Sequence, residues 1–252
     1  MSLMKNKQDW EELGELDPVG AIRGVPIVKG TFSDWDEFFR CGEQEIGEAL
    51  KIAGELGWQR KAGEALDFGC SLGKLTRALG KRFGMAYGLD ISEAMIVKAQ
   101  VLSKDSVNCK FVVNPRPDLR LFSDGHFEFI YTRIVLQHVP DRSLIKAYIC
   151  EFLRVLQPGG LLVFQLPGYV PLVHRIQPRR RLYAGLKNLG IPRDFLYKQL
   201  RLAPGVMNFV PEEQVMDLLV RQGASVLRVI RETITGNVMS LTYYVTNRQR
   251  PD

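Results

Sequence analysis

Apolar residues recur along this chain in two alternating rhythms. Short apolar runs at 65–68, 85–89, 107–113, 127–131 and 161–166 are bounded by Gly, Pro, Asn or Asp and read as buried strands. Between them the spacing turns helical. Leu72, Leu75, Leu79 and Phe83 share one face, Ser92 caps a helix that runs through Ala99, and Asp141 caps the clearest helix. That last helix carries Leu144, Ile145, Tyr148, Ile149, Phe152, Leu153 and Leu156, and ends by Pro158-Gly159-Gly160. Strands alternating with helices over short connections predict an α/β fold, a parallel sheet covered on both faces. Pro211 opens a further helix that Gly223 closes, and 226–230 and 240–246 alternate as two strands around Gly236-Asn237. Seven strands follow, the last two paired antiparallel as a hairpin.

The flanks have a different texture. Residues 1–33 mix acids, prolines and glycines without sustained periodicity and read as an extended arm with at most one helical turn. Ser33 or Asp34 caps a helix with Trp35, Phe38 and Phe39 on its buried stripe, and a second helix spans roughly 44–56 up to Gly57. Residues 34–252 read as one domain. Within it, 169–210 is an insertion that Pro171, Pro178, Pro192 and Pro204 break into short pieces.

Composition changes this picture in one place. The net charge of +6 is concentrated in the insertion, which holds eight basic residues and one acid, while the rest of the chain is net −1. No apolar run approaches the roughly 20 residues of a spanning helix. The polar N-terminus has no basic-then-apolar export pattern, and the four scattered cysteines fit neither zinc nor disulfide frameworks, so a cytoplasmic chain is expected.

Candidate chemistry centres on 65–79, where strand spacing gives way to helix spacing across Gly69 and Gly73. Glycine permits left-handed backbone and close ligand approach, and the helix that follows offers unpaired N–H groups. Asp67, at the strand end, would repel a phosphate and instead suits a cationic amine, so the expected ligand carries both an amine and a carboxylate. Asp90 follows 23 residues later, ends the second strand, and suits ribose hydroxyls. A nicotinamide-dependent oxidoreductase would show G-x-G-x-x-G after the first strand. Here the spacing is Asp67-x-Gly69-x-x-x-Gly73.

Three blocks, Leu66-Asp67-Phe68-Gly69-Cys70-Ser71-Leu72-Gly73, Tyr87-Gly88-Leu89-Asp90-Ile91-Ser92 and Arg154-Val155-Leu156-Gln157-Pro158-Gly159-Gly160, together resemble the class I S-adenosylmethionine-dependent methyltransferases. The resemblance covers roughly 34–246 and implies a Rossmann-like, seven-stranded, mostly parallel sheet with S-adenosylmethionine as cofactor. It implies a methionyl cradle at Phe68, Gly69, Cys70, Ser71 and Gly73, with Asp67 near the amino group and Asp90 on the ribose. Ile91, Ser92 and Met95 fall beside the adenine, and Asp118 is the candidate for its amine. Tyr131, Thr132 and Arg133 fall beside the sulfonium, Arg133 on the acceptor side. Ser71 stands where the family usually has glycine, and Glu128 where the acid of the fourth strand is usually aspartate.

Methyl transfer from a sulfonium is an in-line displacement that alignment and water exclusion accelerate. A base is needed only for a hydroxyl or acidic carbon acceptor, and His138 is the candidate; its other available role is ordering the turn before Asp141. His126 and His174 read as loop residues. The insertion stands where the family builds its substrate cover, so Arg175, Arg179, Arg180 and Arg181 are expected to bind an anionic group on a small-molecule acceptor. Tyr183-x-x-x-Lys187 matches a dehydrogenase pair but lacks the accompanying glycine loop. Asn114-Pro115 follows the third strand, not the fourth where a base-methylating motif belongs, which argues against nucleic acid. No carboxylate cluster suggests a metal. The alternative function is a catalytically inactive binding protein that keeps the methyltransferase fold.

Overall fold

The structure is a computed structural model that describes residues 2–23, 34–234 and 236–247. Five parallel strands form its centre: β1 (Glu64–Phe68), β2 (Met85–Asp90), β3 (Cys109–Val113), β4 (Phe127–Thr132) and β5 (Leu156–Tyr169). After them β6 (Ala224–Ile234) and β7 (Val238–Asn247) complete a seven-stranded sheet of order β3-β2-β1-β4-β5-β7-β6. β7 runs antiparallel to both β5 and β6, so the expected hairpin is present with its second strand wedged inward.

Alternation along each strand sorts the core into two layers. Leu66, Ile130, Leu162 and Phe164 face one side, with α6 (Arg142–Val155) and α9 (Glu212–Arg221) supplying Ile149, Phe152, Val215 and Leu219. Ala65, Phe129, Leu161 and Val163 face the other, against Ile46, Ala49 and Ala53 of α3 (Trp35–Glu55) and Ala78 and Leu79 of α4 (Lys74–Gly80). Asp141 caps α6 by accepting from the Leu144 amide at 2.9 Å, and Ser92 caps α5 (Glu93–Leu102) through the Met95 amide at 3.2 Å.

Two expectations about the flanks need correction. The segment from Trp35 to Glu55 is one helix, capped by Asp34; Ser33 lies outside the described residues. Gly42 does not end it. A side chain there would stand 2.6 Å from the Lys74 carbonyl, so the glycine lets α3 lie directly on α4. Over residues 2–23 the arm is likewise not extended: α1 (Leu3–Leu16) and α2 (Pro18–Arg23) are helical. The face that α1 buries is polar, with Asn6, Asp9 and Glu12 all at most 5% exposed, so no apolar stripe advertises it. Glu11 explains part of its attachment, accepting from the Glu93 and Ala94 amides at the α5 N-terminus at 2.8 and 2.9 Å. The insertion folds into short helices, α7 (Leu172–Ile176), α8 (Pro178–Asn188) and a wider turn at Phe195–Gln199.

Candidate active site

The turn from β1 into α4 is built from left-handed backbone at Gly69 (φ +78°), Ser71 (φ +48°) and Gly73 (φ +78°). A side chain on Gly69 would collide with Val135, and one on Gly73 would come within 2.7 Å of the Phe111 ring. Ser71 keeps this conformation because its amide donates to Asp90 Oδ2 at 2.8 Å while its hydroxyl donates to Met95 Sδ at 3.2 Å. The Ser92 amide holds the other Asp90 oxygen at 2.9 Å. Asp90 is therefore fixed in orientation with acceptor capacity left on both oxygens. Asp67 is 2% exposed and takes a 2.7 Å bond from the Thr76 hydroxyl. Burial, and then the nearby Glu45 and Asp90 carboxylates, push its carboxyl up to about 7 against that hydroxyl.

A cavity of about 940 Å³ runs from this turn to the helical cover. Asp67, Phe68, Gly69, Cys70, Ser71, Asp90, Ile91 and Met95 line one part of it; Arg133, His138, Arg179 and Arg180 line the remainder. The other expected residues stand outside its wall. Gly73 and Ser92 serve as the caps of α4 and α5. Asp118 turns to Arg116 and Arg120, while Asn114, whose side-chain amide donates to the Asp118 carbonyl at 2.8 Å, lines the cavity instead. Tyr131 and Thr132 are buried in β4, Tyr131 donating to Glu45 at 3.1 Å. Arg175 donates to the Val170 carbonyl at 2.8 Å and lies over the Phe209 ring, and Arg181 is on the outer side of α8. Glu128 is remote, closing the loop before β1 by accepting from the Lys61 and Gly63 amides. His174, expected in a loop, lies in α7 and lines the cavity.

Several lining residues escaped the sequence reading. Glu45 meets Lys74 at 3.2 Å, Arg133 at 3.5 Å and the Tyr131 hydroxyl. It interrupts the inward stripe of Phe38, Gly42, Ile46 and Ala49, and a charge inside such a stripe is the signal that could have found it. From α1 come Asn6, Trp10 and Leu13, which no apolar periodicity marks.

His138 joins the arm to the insertion. Its Nδ1 is 2.7 Å from the Val206 carbonyl, which can only accept, so in the neutral ring Nδ1 carries the proton and Nε2 the lone pair. Burial holds the imidazole below its ordinary value, which favours that neutral form. Trp10 packs edge-on at 5.3 Å, and Asn6 donates to the His138 carbonyl at 3.0 Å. Beyond it, Glu12 accepts from Lys187 at 2.5 Å and from the Tyr183 hydroxyl at 3.4 Å, with Arg193 at 3.4 Å. The Tyr183/Lys187 spacing thus places both side chains on the α8 face that meets α1.

The family model for the methyltransferase domain matches residues 66–164, the span from β1 to β5 that carries the Asp67 turn and Asp90. Over that span the chain carries a methyltransferase domain, similar to those of the class I family. Over 99 residues it is 35% identical to 2-methyl-6-phytyl-1,4-hydroquinone methyltransferase of Synechocystis, covering 39% of this chain and 30% of that protein. Over 112 residues it is 35% identical to trans-aconitate 2-methyltransferase of Deinococcus radiodurans, covering 44% of this chain and 40% of that one. These alignments span well under half of either relative's length. The same fold occurs in magnesium protoporphyrin IX methyltransferase of Synechocystis with bound SAH, at TM-score 0.59 and 18% identity over 96% of this chain and 99% of that one. The methyl donor of class I methyltransferases is S-adenosylmethionine. Gly69 and Gly73 form a cradle that side chains would fill, and Asp67 is a buried carboxylate with one hydroxyl partner, short of a cation. Both features fit the cofactor's aminoacyl end.

Proposed function

We propose that this chain is an S-adenosylmethionine-dependent methyltransferase acting on an O, N or C nucleophile of a small acceptor with an apolar body and an anionic group. The observation that carries the reading is the continuity of one cavity from the Asp67–Asp90 cradle to a compartment walled by Trp10, His138, Tyr197 and Val206 with Arg179 and Arg180. When bound, the cofactor supplies a methyl carbon already activated on a sulfonium. Asp67 accepts its ammonium and Asp90 its ribose hydroxyls. Arg179 and Arg180 fix the acceptor's anionic group, and the α1 and α8 cover keeps water from the reacting pair. His138 Nε2 takes the proton of a hydroxyl or acidic carbon acceptor. The relatives' names support this acceptor class, since trans-aconitate is a polycarboxylate and a phytyl hydroquinone joins an apolar tail to ionisable hydroxyls. The cysteines, unpaired among the described residues, support a reducing, cytoplasmic setting.

Calorimetry with S-adenosylmethionine and its demethylated product tests the cofactor half. Binding that Asp90→Ala abolishes is expected, and absence of binding by the native chain refutes it. Turnover against paired anionic and neutral acceptors tests the rest. Reversing Arg179 and Arg180 should raise KM with cofactor affinity intact, and His138→Gln should lower kcat about 10²- to 10⁴-fold. Binding without turnover across the panel assigns the chain to non-catalytic binding proteins of this fold.

A further inference from the structure

We propose that the outer face of residues 169–202 docks on an anionic lipid bilayer. Single exposed apolar residues are ordinary, but a concentration of them is not. Eight of the sixteen large apolar side chains exposed among the described residues fall in this short segment. They include Leu172, Ile176, Leu182, Leu189 and Phe195, each 45–80% exposed and none in the cavity wall. This is not a failure of the segment to pack, because Tyr183, Leu196 and Leu202 form a small buried core of their own beneath it. Leu182 and Phe195 each adjoin a member of that core in sequence and yet stay about half exposed.

The charge on the same segment selects the partner. Lys187 and Arg193 meet Glu12, and Lys198 meets Asp194. No carboxylate among the described residues pairs with Arg175 or Arg181, both exposed and outside the cavity wall, so the segment that shows apolar side chains also shows uncompensated positive charge. Short helices with interleaved arginine and apolar residues suit the interfacial zone of a bilayer, where phosphates and acyl chains lie within a few Å of each other. No described helix is long and apolar enough to cross that bilayer, so docking is peripheral. Single-stranded nucleic acid fits less well. Its bases need accessible aromatic platforms, and with Tyr183 and Tyr197 buried only Tyr169 and Phe195 stand exposed among side chains that are otherwise aliphatic.

Docking would also place the cavity against the lipid. Val173, His174, Gln177 and Arg201 belong to this segment and line the cavity, so an acceptor with an apolar body would enter from the bilayer without crossing water. That consequence rests on the transfer reaction proposed above; the docking does not.

Flotation of the full chain with vesicles decides the matter. Association with equal parts phosphatidylcholine and phosphatidylglycerol is expected, with none on phosphatidylcholine alone and release at about 1 M salt, where screening falls to about 3 Å. Arg181→Ser should weaken partition about fivefold, and Leu172→Ser with Leu182→Ser at least about tenfold. Circular dichroism and melting of each variant establish that it is folded, independently of any cofactor binding. If the paired leucine variant does not fold, Arg181→Ser on the outer side of α8 decides alone. Failure to float with anionic vesicles overturns the proposal, as does flotation that the folded variants retain in full. Two further results overturn it: an oligonucleotide that binds the chain with the same variant pattern in place of vesicles, and a dimer that the leucine variant splits without any lipid association.

Discussion

Replacing Asp67 by Asn should make the ligand-free protein more stable while removing its affinity for the cofactor. The carboxyl is 2% exposed, and burial raises it from 3.8 to about 7. At about 1.4 kcal/mol for each pH unit, that difference corresponds to about 4 kcal/mol, undiluted by solvent at so buried a site. The direction follows from which state ionises first. Below pH 3.8 the group is protonated in folded and unfolded chains alike and costs nothing. From there to about pH 7 the unfolded chain ionises first, so the folded state loses stability progressively, and above that the full penalty stands. An asparagine stays neutral throughout and still accepts the Thr76 hydroxyl. The assay is thermal melting of both proteins from pH 5 to 8.5, with and without the demethylated cofactor. The variant's advantage should grow with pH and reach about 8–16 °C near pH 8, at about 2–4 °C per kcal/mol for a chain of this size. The cofactor product should then raise the melting temperature of the native chain alone, because its ammonium compensates the ionised carboxylate. A melting difference constant across the range, or equal binding by both proteins, refutes the reasoning.

Two other substitutions probe the turn and the cover. Ser71→Gly relieves a left-handed residue, worth about 1–2 kcal/mol, against about 0.5–1 kcal/mol of added chain entropy. Its urea midpoint should rise with cofactor affinity held within about threefold; a lower midpoint would mean that the hydroxyl contact to Met95 dominates. Glu12→Gln leaves Lys187 and Arg193 facing a neutral amide, and since both are partly exposed the loss is about 1–2 kcal/mol, below the full cost of breaking a buried pair. Trypsin should then cut within 179–201 about tenfold faster in the variant, and an unchanged cutting rate would show that the cover is held elsewhere.

The cradle at the ends of β1 and β2 was legible because its determinants are local. Gly69, Gly73, Asp67 and Asp90 act within a residue or two of a strand end, where backbone conformation and capping leave direct marks in the sequence. Asp118 misled because position after β3 says which loop approaches the ligand and not which side chain turns inward; pairing with Arg116 and Arg120 takes it away and leaves Asn114 at the wall. Glu45 was missed because an acid on an amphipathic helix ordinarily belongs to the solvated face. The arm was missed for a stronger reason. Asn6, Asp9 and Glu12 are buried polar residues, the inverse of the pattern that announces a packed helix, and the partners of Asn6 and Glu12 lie in segments remote in the chain.

That contrast also explains how the two halves can differ in specificity. The cradle is set by backbone, and its glycines and caps admit little variation without collision, as the space beside Gly73 and Gly88 shows. Acceptor-side walls come from α1, the turn at His138 and the segment after β5, joined by side-chain contacts such as Glu12 with Lys187 and Asn6 with the His138 carbonyl. Changing one of those side chains spares the hydrogen bonds of the Asp67–Asp90 cradle, since Glu12 bonds to Lys187 and Tyr183 and Asn6 to the His138 carbonyl, all outside β1 and β2. Acceptor choice and cofactor binding should therefore vary independently in this chain, with the arm and the insertion changing together because Glu12 of the one meets Tyr183, Lys187 and Arg193 of the other.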